Sequence, residues 1–130
     1  MPDRADDSSV RLWAVRGAIT VGRNDADAIL AATEELMREL IGRNELDTEQ
    51  IVSCIFTSTH DLNAEFPAVA ARNVGLSNVP LLCAREIDVP GAMRSVIRVL
   101  VHYYGPTDHE PSHTYLGDAQ ELRSDLQAAQ

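Results

Sequence analysis

Met93-Arg94-Ser95-Val96-Ile97-Arg98-Val99-Leu100-Val101-His102-Tyr103-Tyr104-Gly105-Pro106 decides the fold, because it satisfies two periodicities at once. Met93, Val96, Ile97, Leu100, Val101 and Tyr104 recur at the spacing of a helical face. The same run, rich in valine, isoleucine and tyrosine and bounded by Gly105-Pro106, suits a strand over 96–104. The strand is the preferred reading, and it sets Arg98 inside an apolar strand. If that strand is central, the guanidinium needs an anionic partner, since an unpaired buried charge is prohibitive. Glu86 would serve, and so would a carboxylate of a bound substrate.

Upstream, 79–87 is a third strand candidate and Asp88-Val89-Pro90-Gly91 a turn. Cys83 and Glu86 stand three apart there, on opposite faces of a regular strand, and share a site only if the strand bends. Phe66-Pro67 opens a short alanine-rich helix with Gly75 beyond its end, and 51–56 reads as a buried strand closing at Thr57-Ser58-Thr59. Ile29, Thr33, Leu36, Met37, Leu40 and Ile41 form the apolar stripe of a longer helix, capped by Asn24 or Asp25 and ending at 42–44. The first strand begins at 10–15 and runs through Arg16-Gly17-Ala18 toward Val21. Gly17 lets a backbone or a ligand approach Arg16 closely, although a structural salt bridge for Arg16 is equally open. Downstream, 105–112 is a polar loop and 113–122 a last strand. Strands alternating with two helices predict an α/β sheet domain.

At 130 residues, 45% apolar and 24% charged, the chain has the balance of one globular domain. Residues 1–9 read as a disordered acidic tail. They lack the hydrophobic segment of a secretory signal, and no apolar run is long enough to span a bilayer, so a cytoplasmic location is expected. Cys54 and Cys83 are expected to be free thiols, and no Cys-x-x-Cys pair offers a zinc ribbon. The net charge is −9, and all 11 cationic residues are arginines, which argues against nucleic acid as a partner. With no lysine, Schiff-base chemistry and a phosphate-loop lysine are excluded. His109 and His113 flank Glu110 in a proline-containing loop with no helix to align them, and read as exposed loop residues rather than metal ligands. Ser58, His60 and Asp61 have the types of a hydrolase triad, but such triads are assembled in space rather than from sequence neighbours.

Taken in order, several segments resemble one family. They are Val15-Arg16-Gly17-Ala18-Ile19-Thr20-Val21; Asp61-Leu62-Asn63-Ala64-Glu65-Phe66-Pro67-Ala68 with Arg72; Val79-Pro80-Leu81-Leu82-Cys83-Ala84-Arg85-Glu86-Ile87-Asp88-Val89; Ile97-Arg98-Val99; and His113-Thr114-Tyr115-Leu116 with Leu122-Arg123-Ser124-Asp125-Leu126. The set resembles the monofunctional, barrel-like chorismate mutases over about 11–126. The resemblance implies one domain over 10–126, with a short tail at 127–130. It also implies an α/β (α+β) subunit, a mixed sheet with two helices on one side, and a homotrimer that closes into a pseudo-α/β-barrel with active sites between subunits. The expected reaction is the rearrangement of chorismate to prephenate, the branch step toward phenylalanine and tyrosine, with no cofactor and no metal.

By the same resemblance, Arg98 faces the ether oxygen, where negative charge develops, and Glu86 and Cys83 hold the ring hydroxyl. Arg16 and Tyr115 bind substrate carboxylate. Phe66, Ala68 and Arg72 reach in from the neighbouring subunit, and Leu122 and Arg123 belong to a segment closing over the entrance. Chorismate is a dianion meeting a protein of net charge −9, so only a local arginine cluster makes the cleft attractive. Val69 departs from the family, whose members often carry a lysine there. Two alternatives stay open: a trimeric deaminase of enamines and imines, which shares the architecture, and a non-catalytic trimer that binds a small carboxylate.

Overall fold

The two periodicities resolve into five strands and two helices in the computed structural model, which describes residues 9–122. The strands are β1 (Val10–Thr20), β2 (Ile51–Ser58), β3 (Leu81–Arg85), β4 (Val96–Pro106) and β5 (Thr114–Leu116), and the helices are α1 (Ala26–Arg43) and α2 (Ala68–Asn73). They form a single sheet in the order β3-β2-β4-β1-β5. The central β4 runs antiparallel to β1 and β2, while β2–β3 and β1–β5 are parallel, so the sheet is mixed.

Burial along β4 settles the ambiguous stretch. Ile97, Val99, Val101 and Tyr103 lie in the main core, while Arg98, Leu100 and His102 between them are half-buried and Tyr104 is exposed. That period of two belongs to a strand and not to a helix.

Helix α1 forms as its stripe requires, with Ile29, Thr33, Leu36, Met37 and Leu40 buried. Its cap is Asp25, whose carboxylate accepts the Ala28 N–H at 3.1 Å. Asn24 is used elsewhere: its side-chain oxygen accepts the N–H groups of Asn63 and Ala64, tying the helix start to the segment that leads to Phe66. Residues of α1 and Ala71 of α2 share one core with Val15, Ile19, Phe56, Val99 and Val101, so both helices cover the same side of the sheet. The other side carries exposed Leu12, Leu82 and Tyr104.

Two expected strands are shorter than their sequence suggests. In place of a strand over 113–122 there are the three residues of β5 and then a 3-10 turn, Gly117–Leu122. Gly117 has φ +60°, and a Cβ there would meet the Thr20 hydroxyl at 2.7 Å, so the chain bends where only glycine fits. At 79–87 only Leu81–Arg85 is strand. Pro80 has no N–H to give the ladder, although the Glu86 N–H still donates to the Ser58 carbonyl at 3.0 Å. Of the expected tails, 1–8 and 127–130 lie outside the described residues.

At Gly17 the side chains of α1 pack tightly against the sheet. A Cβ there would lie 3.0 Å from Leu40 Cδ1, 3.1 Å from Leu36 Cδ1 and 3.2 Å from the Thr114 carbonyl oxygen. Gly17→Ala is therefore expected to cost about 1–2 kcal/mol through overpacking, read as a lower urea midpoint. An unchanged midpoint would show that the helix is not seated on this glycine.

Candidate active site

The pairing register lines up Ala84, Thr57, Arg98, Ala18 and Tyr115 across all five strands. The next row along includes Ile55, Leu100 and Arg16. On the face away from the helices, the small Ala18 leaves Arg98 and Tyr115 bordering one space. Arg16, Ile55, Thr57, Arg98, Leu100 and Tyr115 line a cleft of about 400 Å³.

Arg98 has a protein partner, but an incomplete one. Its Nε lies 2.8 Å from Glu86 Oε2. That oxygen also accepts the Thr57 hydroxyl at 2.6 Å, and it sits off the Arg98 N–H axis, so the buried Nε makes no hydrogen bond. The contact is an ion pair without an aligned hydrogen bond. The Tyr115 hydroxyl is likewise buried and unpaired. Such groups cost about 1–3 kcal/mol each when left so. Arg16 has no carboxylate partner among the described residues. Two guanidiniums against one carboxylate leave the cleft with an excess positive charge, which suits an anion with more than one acceptor oxygen.

Of the residues proposed from sequence, the structure brings together Arg16, Glu86, Arg98 and Tyr115. Leu122 packs beneath them with Ala18, Val96, Tyr115 and Ala119, while Arg123 lies outside the described residues. The bend that would unite Cys83 with Glu86 is absent. β3 is regular, so Cys83 packs against the main core while Glu86 turns to Thr57 and Arg98. Cys83 instead lines a second cleft of about 330 Å³ with Phe66 and Pro67. Phe66 is 68% exposed. Ala68 packs against the main core, and Arg72 Nη1 donates to the carbonyls of Leu76 at 2.6 Å and Val79 at 2.9 Å. Within one chain, Cys83, Phe66, Ala68 and Arg72 therefore stand apart from the arginine cleft.

The discounted constellations have other employment. His60 Nδ1 lies 3.3 Å from Asp88. Asp61 accepts the Ser95 hydroxyl at 2.8 Å and the Ser95 N–H at 3.3 Å. The His109 ring bonds the Tyr103 hydroxyl at 2.6 Å, and His113 Nδ1 accepts the Arg16 N–H at 3.0 Å. Sequence reasoning missed Thr57 as the group that holds Glu86, and missed the Asp61–Ser95 brace. Ser95 has φ +59°, unusual for a residue with a side chain. Asp61 holds it there, three positions before Arg98.

A family model described as Chorismate mutase type I matches residues 12–126. The chain is 45% identical over 118 residues to Chorismate mutase AroH of Thermus thermophilus, covering 89% of this chain and 97% of that relative. It is 36% identical over 114 residues to Chorismate mutase AroH of Bacillus subtilis (strain 168), with coverages of 86% and 90%. A solved structure of a chorismate mutase from Clostridium thermocellum superimposes with a TM-score of 0.80 at 47% identity, covering 85% of this chain and 99% of that one.

The Asp61 brace has a pH signature. Partial burial pushes its carboxyl up, but hydrogen bonds from Thr59 and Ser95 outweigh this and hold it at about 2, below the usual 3.8. A depressed carboxyl stabilises the fold above its unfolded value, and that contribution is lost as pH falls through the folded one. Asp61→Ala is expected to have the lower urea midpoint at pH 7, with the gap to wild type closing between about pH 4 and pH 2. A gap independent of pH would rule out an ionised Asp61 as the brace.

Proposed function

The chain belongs to the chorismate mutase type I family and is a chorismate mutase, an isomerase; from that premise we propose that it converts chorismate to prephenate in the Arg98 cleft, completed by a neighbouring copy in a homotrimer. The observation that carries this reading is the convergence of Arg16, Arg98 and an unpaired Tyr115 hydroxyl on one cleft, with Glu86 ion-paired to Arg98.

The reaction is an intramolecular rearrangement in which a C–O bond breaks as a C–C bond forms. No proton transfer, covalent intermediate, cofactor or metal is needed. An enzyme supplies selection of the folded conformer and stabilisation of the charge that builds on the ether oxygen. In our assignment Arg16 and Tyr115 take substrate carboxylate and fix the conformer. Arg98 donates to the ether oxygen through the terminal nitrogens that Glu86 leaves unused, and Glu86, steadied by Thr57, accepts from the ring hydroxyl.

The second half of the site is assigned to a neighbouring copy. Cys83 and Phe66 share their own cleft, away from Arg98. If one copy offers that surface to the next copy's arginine cleft, Cys83 and Glu86 meet on the same ring hydroxyl without any bend in β3. Phe66 then packs on the substrate, and Ala68 and Arg72 stand at the rim. Exposed Leu12, Leu82 and Tyr104 on the face opposite the helices support burial of that face in a trimeric pseudo-barrel. By likeness to the family, Leu122 and Arg123 are assigned to a segment that would close the entrance. Two free thiols support a cytoplasmic enzyme.

Purified protein is expected to consume chorismate, followed as loss of its absorbance, and to elute with three times the mass of the chain. Arg98→Ala should lower kcat by at least 10²–10³-fold, about 3–4 kcal/mol by analogy with an oxyanion donor. No turnover by the wild type, or full turnover by the variant, would defeat the assignment. Mixing inactive Arg72→Ala and Arg98→Ala chains should restore some activity, because mixed trimers contain clefts built from two intact halves. No restoration after subunit exchange would argue against shared sites.

A further inference from the structure

Tyr115 stands on a strand of three residues at the edge of the sheet, paired to β1 only through Gly17–Thr114, Ala18–Tyr115 and Ile19–Leu116. So short a strand has little hold of its own. Just before it, the Arg16 N–H, which would be the next rung, is taken by a side chain: His113 Nδ1 accepts it at 3.0 Å. Asn44, at the end of α1, clamps the preceding residue in both directions, its side chain accepting the Ser112 N–H at 2.7 Å and donating to the Ser112 carbonyl at 3.0 Å.

We propose that His113, as a neutral imidazole, is a positioning residue for this enzyme: by accepting the Arg16 N–H it locks β5 to β1 and sets the carboxylate-binding pair Arg16 and Tyr115 at fixed separation. The inference rests on the assignment of those two residues to substrate. The geometry dictates the tautomer. A ring nitrogen that accepts an N–H carries no proton, so the proton of the neutral ring sits on Nε2. Protonating Nδ1 would set two donors face to face and break the rung.

The surroundings favour the neutral form. Burial lowers the affinity of the ring for a proton, and the Arg16 charge lowers it further. From β4 the residue opposite Arg16 is Leu100, and α1 reaches this stretch through the uncharged Asn44. On the same loop His109 is engaged with Tyr103, and Asp108 and Glu110 are exposed. Arg16 is thus the charge that acts on the ring. With its pKa below the ordinary 6.5, His113 stays neutral at pH 7, and the lock opens only as pH falls through that lowered value.

Three chains test this: wild type, His113→Ala and His113→Asn. The side-chain oxygen of asparagine can replace Nδ1 as acceptor but cannot titrate. His113→Ala should lose about tenfold in kcat/KM, carried mainly by KM, as expected for loosened substrate binding. His113→Asn should recover most of that loss at pH 7.5. The wild type should lose kcat/KM on the acid side, at a pH below the ordinary imidazole value of 6.5, and His113→Asn should lack that limb. Independently of activity, ¹⁵N shifts of the His113 ring should show an unprotonated Nδ1 at pH 7.5. A protonated Nδ1, an asparagine variant as impaired as the alanine one, or an acid limb that persists in His113→Asn would each overturn the proposal. A wild type that shows the expected ring shifts yet does not turn over chorismate would instead defeat the assignment of function on which it rests.

Discussion

A guanidinium in the middle of a five-stranded sheet is the constraint that the rest of this molecule answers to. Arg98 sits on the central strand, where an uncompensated charge would cost several kcal/mol. The fold supplies Glu86 from the end of β3 and steadies it with Thr57. It does not neutralise the cation in the most favourable way, because the carboxylate lies off the N–H axis. The pair is also not sealed: the Arg98 side chain remains 34% exposed and Glu86 17%. An ion pair held this loosely tolerates the ground state while leaving donor capacity for a ligand. A fully hydrogen-bonded, buried pair would be a better structural element and a worse site.

The arrangement around that cation follows from which face each residue occupies. The face of β4 toward the helices is apolar without interruption from Ile97 to Tyr103, so the core itself tolerates no charge. All chemistry is pushed to the other face, where the strands offer Arg16, Thr57 and Arg98. A bare sheet face bearing leucines and tyrosine is unlike the solvated side of a two-layer domain. In the proposed trimer a second copy of the chain would cover the exposed apolar side chains and supply the other half of the site. The same face is thus an interface and a cleft in the proposed trimer.

Much of this was legible in the sequence, and the illegible parts have identifiable causes. The stripe of α1 is a periodic signal and the valine, isoleucine and tyrosine of 96–104 a compositional one; the latter put Arg98 on a strand with Glu86 as a candidate partner, and the sheet order makes that strand central. The cap went to Asp25 because Asn24 is drawn to the backbone of Asn63 and Ala64, a contact 39 and 40 positions away that local pattern does not reveal. The last strand stopped early at Gly117, which takes a positive φ and has no room for a Cβ beside the Thr20 hydroxyl of another strand, neither of which local pattern reveals. The opposite facing of Cys83 and Glu86 was readable from their spacing alone. What spacing could not show is that β3 stays regular, with Cys83 against the main core, so that only a site shared between copies, as proposed, would unite the two. Thr57 was visible only as a strand end and His113 only as a loop residue and the start of a motif, since their roles come from the register of β2 and the placement of β5.

Preorganisation in such a site must come from the backbone. The proposed reaction asks the protein for no proton at any step, so the groups in the cleft are valued for where they are held rather than for their readiness to titrate. Arginine serves this better than lysine, because it stays charged at every relevant pH and its planar fork loses less freedom per hydrogen bond made. An arginine on a flexible strand would nevertheless follow its substrate rather than select a conformer from solution. Each cationic group here is accordingly braced at its main chain: Arg98 lies downstream of the Asp61–Ser95 contact, and Arg16 is tied by its own N–H to His113. A brace on the backbone fixes the origin of a side chain without using any of its donors. In a protein with net charge −9, that separation leaves the Arg16 guanidinium and the terminal nitrogens of Arg98 available to a dianion.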